Sequence, residues 1–294
     1  AEAPAAAELA SLRGCDAEAL YYGIGESVDF VKARRCAYAE EANGEGTAMG
    51  GSAVLMMTYA NGQGVPRNFD LALRFACDVG GAPAELDGRV GRLVRARAAG
   101  ALSEAFDVCD DITSGFMQGI CTAHGERLAD VGRQARLHAA TSDLPQPELA
   151  ALERAAQAFF EARSQGEVDQ TGTARSAFVI EERTQLEDQH THFLEQLHDA
   201  KFTPPQRGEA ALDQEMRATL ARIAGCSSLQ QQEQFAGAIT RAGIRDAQAR
   251  WIDYRAAFVV LAVRVRPQVP PESWRTWLGA KRLEQLQALA EGCQ

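Results

Sequence analysis

The sequence predicts an all-α protein: a short α/α solenoid followed by two helical-hairpin domains. Three observations predict it. Gly23, Gly25, Phe30, Ala33 and Ala37 precede Gly62, Gly64, Phe69, Ala72 and Ala76 by 39 residues each. A period near 40 with paired glycines between helical stretches marks a helical solenoid. Beyond residue 100, apolar residues recur at spacings of three and four, the period of one helix face. Two of these faces share one internal spacing: Leu152, Ala155, Phe159 and Arg163 are separated as are Ile244, Ala247, Trp251 and Arg255.

In chain order, residues 1–12 are alanine-rich and expected to form a flexible N-terminal segment. Residues 13–100 are the repeat domain. There Ala53, Leu55, Met56 and Tyr59 share a helix face, and Gly62-Gln63-Gly64-Val65-Pro66 ends it. Glycine opens the left-handed backbone, and proline cannot continue a helix. Phe69, Ala72, Leu73 and Ala76 resume a helical face. Such a repeat cannot bury its apolar face alone, so it stacks on a neighbour and offers a concave surface. That points to protein binding before catalysis.

The next domain spans 104–200. Cys109 and Cys121 bracket Asp110-Asp111-Ile112-Thr113-Ser114, and a helix is expected from Thr122 to Ala140. A loop with Pro145 and Pro147 precedes a helix from Pro147 to Gln165, which Gly166 and Gly172 end. Another helix runs from Ser176 to His198, and Lys201-Phe202-Thr203-Pro204-Pro205 reads as a linker. The last domain, 206–294, carries Leu212, Met216 and Leu220 on one helix and Ile244, Ala247, Trp251, Tyr254, Phe258 and Leu261 on a second. Pro267, Pro270 and Pro271 break it, and a final helix covers Glu272 to Leu289. The shared spacing makes these two domains diverged duplicates.

Two resemblances follow from particular residues. Tyr59, Gly62, Gly64, Val65, Asp70, Ala72 and Ala76, with Tyr22, Gly23, Gly25, Asp29, Ala33 and Ala37 one period earlier, resemble the Sel1-like repeat, a relative of the tetratricopeptide repeat. That resemblance covers roughly residues 15–90 and implies a solenoid used for protein–protein contacts. Ile244-Arg245-Asp246-Ala247-Gln248-Ala249-Arg250-Trp251-Ile252-Asp253-Tyr254-Arg255 resembles the central helix of the LprI-like lysozyme-inhibitor family, with its Ala-Gln, its Trp three residues on, and its Tyr-Arg. Cys109 and Cys121 resemble the cysteine pair that opens the same domain. The first copy keeps these cysteines and has Phe159 and Ala162 for the Trp and Tyr; the second keeps the helix and lacks the opening pair. The resemblance implies a disulfide Cys109–Cys121. It also implies a protein that sequesters a cell-wall-degrading enzyme, such as a lysozyme-type muramidase, by occlusion and without chemistry of its own.

Charge and cysteine usage bound the setting. With 30 basic and 40 acidic residues the net charge is −10. The balance argues against a nucleic-acid partner, which needs a basic face; a cationic protein partner suits, although mild acidity also aids solubility. No run of 18 apolar residues exists, and the longest candidate, Ala256 to Val263, is too short to span a membrane. The opening Ala-Glu-Ala-Pro-Ala-Ala-Ala reads as what remains after a signal peptide is removed, or as an artificial boundary. Seven cysteines indicate an oxidising compartment, the periplasm or outside the cell. Cys15 and Cys36 flank the turn of one repeat, and Cys226 and Cys293 sit at helix ends in the last domain; both pairs are expected to bridge, with Cys77 left over.

No His-Glu-x-x-His, nucleophile elbow, phosphate loop or Rossmann fingerprint appears. Asp110-Asp111 and Glu181-Glu182 are adjacent carboxylates that diverge on a helix, and read as solvated faces rather than glycosidase pairs. His190, His192 and His198 lie near Asp188 on one helix but do not share a point as zinc ligands must; a solvated face is expected. Trp251, Tyr254 and Arg255 have the composition of an interface hot spot, yet their spacing with Ile244, Ala247 and Phe258 makes Trp251 and Tyr254 core residues. Cys36 and Cys77, at nearly matching places in the repeats, read as staples rather than a redox pair. No cofactor or metal is expected and no enzymatic activity. The expected partner is a cationic peptidoglycan hydrolase or a cell-wall-targeting toxin. The alternative is an envelope adaptor holding another protein through its repeats.

Overall fold

Glycine and proline set the helix ends in the computed structural model of the protein, which describes residues 3–44, 48–204 and 208–293. Among the described residues there are thirteen α-helices, one 3-10 turn at Val108–Asp111, and no strand, so the protein is all-α. The chain divides into two compact units at Val131/Gly132.

The first unit contains α1 (Ala6–Ser11), α2 (Ala17–Tyr22), α3 (Phe30–Asn43), α4 (Gly51–Asn61), α5 (Phe69–Asp78) and α6 (Pro83–Ala99). The 39-residue period is visible in its hydrogen bonds. Gly23 and Gly62 both turn left-handed, at φ 78° and 72°, and donate to the carbonyls of Ala19 and Thr58 at 2.8 and 2.9 Å. Asp29 and Asn68 return the chain by donating their amides to Leu20 and Tyr59, both at 2.9 Å, and their side chains cap the following helices. A Cβ on Gly64 would stand 2.9 Å from the Phe30 backbone, so the second turn packs directly on the start of α3. α4 lies between α3 and α5 and is buried from Gly51 to Ala60, as a helix apolar on every side must be. The core joins Ala33, Cys36 and Ala37 to the α4 side chains and to Ala72, Phe75 and Ala76.

Two corrections arise here. The flexible segment expected over 1–12 contains α1, which packs on α3 and carries a Glu8–Arg35 ion pair; Ala1 and Glu2 lie outside the described residues. The helix expected from Thr122 begins at Gly115 as α7 (Gly115–Thr141), because the Ser114 hydroxyl accepts from the Met117 amide at 3.2 Å and starts the helix earlier. Cys121 is therefore inside a helix. The unit boundary falls within α7.

The second unit contains the end of α7 with α8 (Gln146–Gly166), α9 (Arg175–His198), α10 (Glu209–Ala224), the short α11 (Ser227–Gln232), α12 (Arg241–Val265) and α13 (Pro271–Ala290). The segments read as separate domains over 104–200 and 206–294 share one hydrophobic core, with Leu152, Phe159 and Leu194 in the same cluster as Trp251, Phe258 and Trp274. The boundaries expected near 100–104 and 200–206 are thus replaced by one at 131/132. The reason is the antiparallel crossing of α8 and α12, the most extensive helix contact in the protein. A Cβ on Gly243 would lie 2.8 Å from the Gly166 backbone, so bare glycines let the two helices touch. The expected linker is also packed. Pro204 is buried, and the Arg266 guanidinium donates to the carbonyls of Asp199 and Phe202 at 3.0 and 2.9 Å. Pro205 lies outside the described residues.

Candidate functional site

The motif helix α12 sends its signature residues inward. Ile244 and Ala247 are buried, Trp251 and Tyr254 are each 3% exposed, and Tyr254 stacks on Phe159 of α8 with ring centroids 5.7 Å apart. Arg255 is partly buried, lies 4.7 Å over the Trp251 ring and reaches Asp213 of α10 at 3.9 Å. Burial draws its pKa down, against the pull of Asp213 and Glu209. These residues hold α8, α10 and α12 together, and Ile244, Ala247, Trp251 and Tyr254 are buried.

Behind Tyr254 lies a groove of about 550 Å³ between α7, α8 and α9. Leu137, Ala156, Phe160 and His190 line it, with Arg133 and Glu187 among the charged residues around them. The His190 Nδ1 and the Tyr254 hydroxyl share a hydrogen bond of 3.0 Å. Burial lowers the His190 pKa to about 4 and raises that of Tyr254, so the imidazole is neutral and the phenol protonated near pH 7. His190 is thus no part of a solvated face, a correction explained by its place on the α9 stripe of Leu186, Phe193, Leu194 and Leu197. His192 stays exposed and His198 bonds the Ala140 carbonyl at 2.8 Å, so the three imidazoles do not converge. Among the described residues no cluster of three or more His, Cys, Asp or Glu has the geometry of a metal site.

The remaining sequence-flagged residues hold elements in place. Arg92 of α6 binds Asp110 at 2.6 Å and Asp111 at 3.0 Å, which ties the 3-10 turn to that helix. Glu182 receives Arg163 at 2.5 Å, and Glu181 is exposed. Cysteines pair as Cys15–Cys36, Cys109–Cys121 and Cys226–Cys293, with Cα separations of 5.9, 5.8 and 5.1 Å. Cys77 is free and exposed.

Three buried charge clusters escaped sequence reasoning because their members lie far apart in the chain. Glu18 on α2 meets His124 of α7 at 2.7 Å and also Arg127, which binds Asp16 at 2.7 Å. Glu85 accepts from the amides of Ala82, Thr113 and Ser114 at 2.6–2.8 Å; burial alone would raise its pKa, but these donors pull it down to about 2. Arg282, 1% exposed, clamps Glu167 through both Nη atoms at 2.8 and 2.5 Å and donates Nε to Gln248 at 2.9 Å. Only the Glu85 cluster had a sequence signal, an acidic residue at the third position of a helix opened by Pro83.

Charge divides unevenly between the units. Residues 1–131 hold 19 acidic and 11 basic residues, whereas residues 132–294 hold 21 and 19. Nearly all the net negative charge belongs to the first unit. No described helix is long and apolar enough to cross a membrane.

Compared with family models, with curated proteins and with solved structures, the chain finds no significant match.

Proposed function

We propose that this chain is a periplasmic or secreted inhibitor that binds and occludes a cationic peptidoglycan-degrading enzyme of the lysozyme-type muramidase class, and guards its own cell as an immunity protein where that enzyme is a toxin. The observation that carries the proposal is the helix Ile244–Arg255, with the residues of the LprI-like pattern in order. The charge partition supports a cationic partner: a net −8 over residues 1–131 speeds encounter with a positively charged enzyme. Three disulfides are compatible with an exported protein. Inhibition requires no catalysis by this chain.

A second function is favoured by the glycine-turn repeat over Gly23–Gly25 and Gly62–Gly64, which resembles Sel1-like modules: a non-catalytic envelope adaptor that holds another protein through those repeats. One experiment separates the two. Clearing of a cell-wall suspension is followed with a panel of muramidases, amidases and toxins encoded beside this gene, with and without the protein at micromolar concentration. Stoichiometric loss of one activity, with an on-rate that falls as salt rises past about 0.15 M, is expected of the inhibitor. No inhibition across the panel leaves the adaptor.

A further inference from the structure

Two loops of the second unit, one after α8 and one before α12, frame a bowl of about 500 Å³. Asp169 and Thr171 come from the first; Gln232, Phe235 and Ile239 come from the end of α11 and the second loop. Phe235 is 59% exposed, among the most exposed large apolar side chains in the protein. Asp169 is the only ionisable residue lining the bowl among those described. One of its oxygens accepts the Thr171 amide at 2.9 Å, which orients the carboxylate and leaves the other oxygen for a ligand. Arg163, six residues before Asp169, is held by Glu182 at 2.5 Å, and Arg241, two residues after Ile239, is held by Glu233 at 2.8 Å.

The bowl is built rather than loose. The Gln170 amide donates to the Gly237 carbonyl at 2.7 Å, a backbone bond that joins the two loops. Gly237 sits at φ 86°, and a Cβ there would lie 2.6 Å from the Gln170 carbonyl oxygen, so the close approach admits only glycine. Behind the loops, the Gly166–Gly243 contact fixes the end of α8 against the start of α12.

An exposed phenyl ring and a carboxylate lining one bowl are the recognition chemistry of a side-chain cation. The ring face attracts a guanidinium or ammonium, and the carboxylate neutralises it. We infer that this bowl is the docking site for an arginine or lysine side chain of a cationic partner protein, with Asp169 as counter-ion and Phe235 as platform. The partner's identity rests on the inhibitor function proposed above; the chemistry rests on the bowl alone. The α7–α9 groove offers no such preference, because both signs of charge surround it.

The test uses the full chain labelled with carbon-13 in its 12 phenylalanine rings, the Phe235 resonance being assigned by its loss in Phe235→Leu. A blocked tripeptide with a central arginine is titrated, with a central-glutamine tripeptide as control. The Phe235 ring is expected to shift saturably with the arginine peptide only. Asp169→Asn, which keeps the bond to the Thr171 amide, is expected to weaken that binding by about tenfold, as loss of a charge-assisted contact does. The inference is overturned by no saturable shift below about 10 mM peptide, by an equal response to the glutamine peptide, or by undiminished binding in Asp169→Asn. Thermal melting of each variant establishes that it is folded. Failure of the peptide titration removes this site whatever the hydrolase panel gives; failure of the panel alone removes only the hydrolase as partner.

Discussion

Gly243→Ala sets two effects of opposite sign against each other. Gly243 is the third residue of α12, and alanine is the better helix former by about 1 kcal/mol, so propensity alone predicts stabilisation. The structure predicts the reverse. The added Cβ would stand 2.8 Å from both the Cα and the carbonyl oxygen of Gly166, and 3.2 Å from its carbonyl carbon. All three contacts are backbone, so no side chain can rotate away; α8 and α12 must separate along the largest helix interface in the protein. Overpacking of a tight core costs typically about 1–3 kcal/mol, and a backbone-to-backbone clash belongs at the upper end. The net expectation is a loss of about 1–2 kcal/mol after the propensity gain. Gly132→Ala supplies the control: Gly132 lies in α7, nothing stands within 4 Å of its Cβ position, and a gain of about 0.5–1 kcal/mol is expected. Urea unfolding followed by tryptophan fluorescence reads the second unit specifically, because Trp251, Trp274 and Trp277 are its only tryptophans and the first unit has none. With a slope of about 1–3 kcal/mol per molar urea, the expected loss moves the midpoint visibly. A Gly243→Ala protein as stable as its parent would refute the close crossing of α8 and α12.

Trp251→Ala is expected to cost about 3–5 kcal/mol in urea unfolding read by the two remaining tryptophans, since the side chain is 3% exposed; a cost below about 1 kcal/mol would make it a surface residue. Acid should loosen the second unit. The folded His190 pKa is lowered to about 4 from its ordinary 6.5, so its contribution is fully present above pH 6.5 and is lost as pH falls toward 4, by up to about 3 kcal/mol. His190→Gln should lose less stability than the parent between pH 6.5 and pH 4; an equal loss would mean the imidazole is solvated. Non-reducing peptide mapping should recover Cys15–Cys36, Cys109–Cys121 and Cys226–Cys293 with Cys77 alkylated, and each bridge should contribute about 2–4 kcal/mol; a peptide linked through Cys77 would contradict the pairing.

What the sequence revealed was local, and what it hid was long-range. The 39-residue period places the turns at Gly23 and Gly62 because a left-handed backbone needs glycine wherever it occurs. Helix ends at Gln146, Gly166 and Pro271 fall within a residue of expectation, the two starts because proline fits the first turn of a helix. Inward residues of α12 were legible from spacing alone. Domain limits were not. A linker is inferred from prolines, but whether Pro204 is buried depends on Arg266, more than 60 residues away, donating to Phe202. His190 was misread because a histidine on a helix gives no sign of which stripe it joins until Tyr254 supplies its partner. The bowl of Asp169 and Phe235 was invisible for a further reason: its halves lie in loops without periodicity, joined only by the Gln170–Gly237 bond.

The two scales of charge in this chain suit two stages of one encounter in the proposed complex. A net −8 over the first unit acts over roughly a Debye length, about 8 Å at 0.15 M salt, and selects for partner sign without selecting for partner shape. Asp169, in a second unit close to neutral, acts only at contact, where it is set beside Phe235 and selects a single cation by geometry. Steering charges contribute mainly to on-rate, whereas a partly desolvated charge against an aromatic ring contributes to off-rate. Neutralising substitutions in the first unit and Asp169→Asn in the second therefore act on different rate constants, and a cationic partner should register them separately.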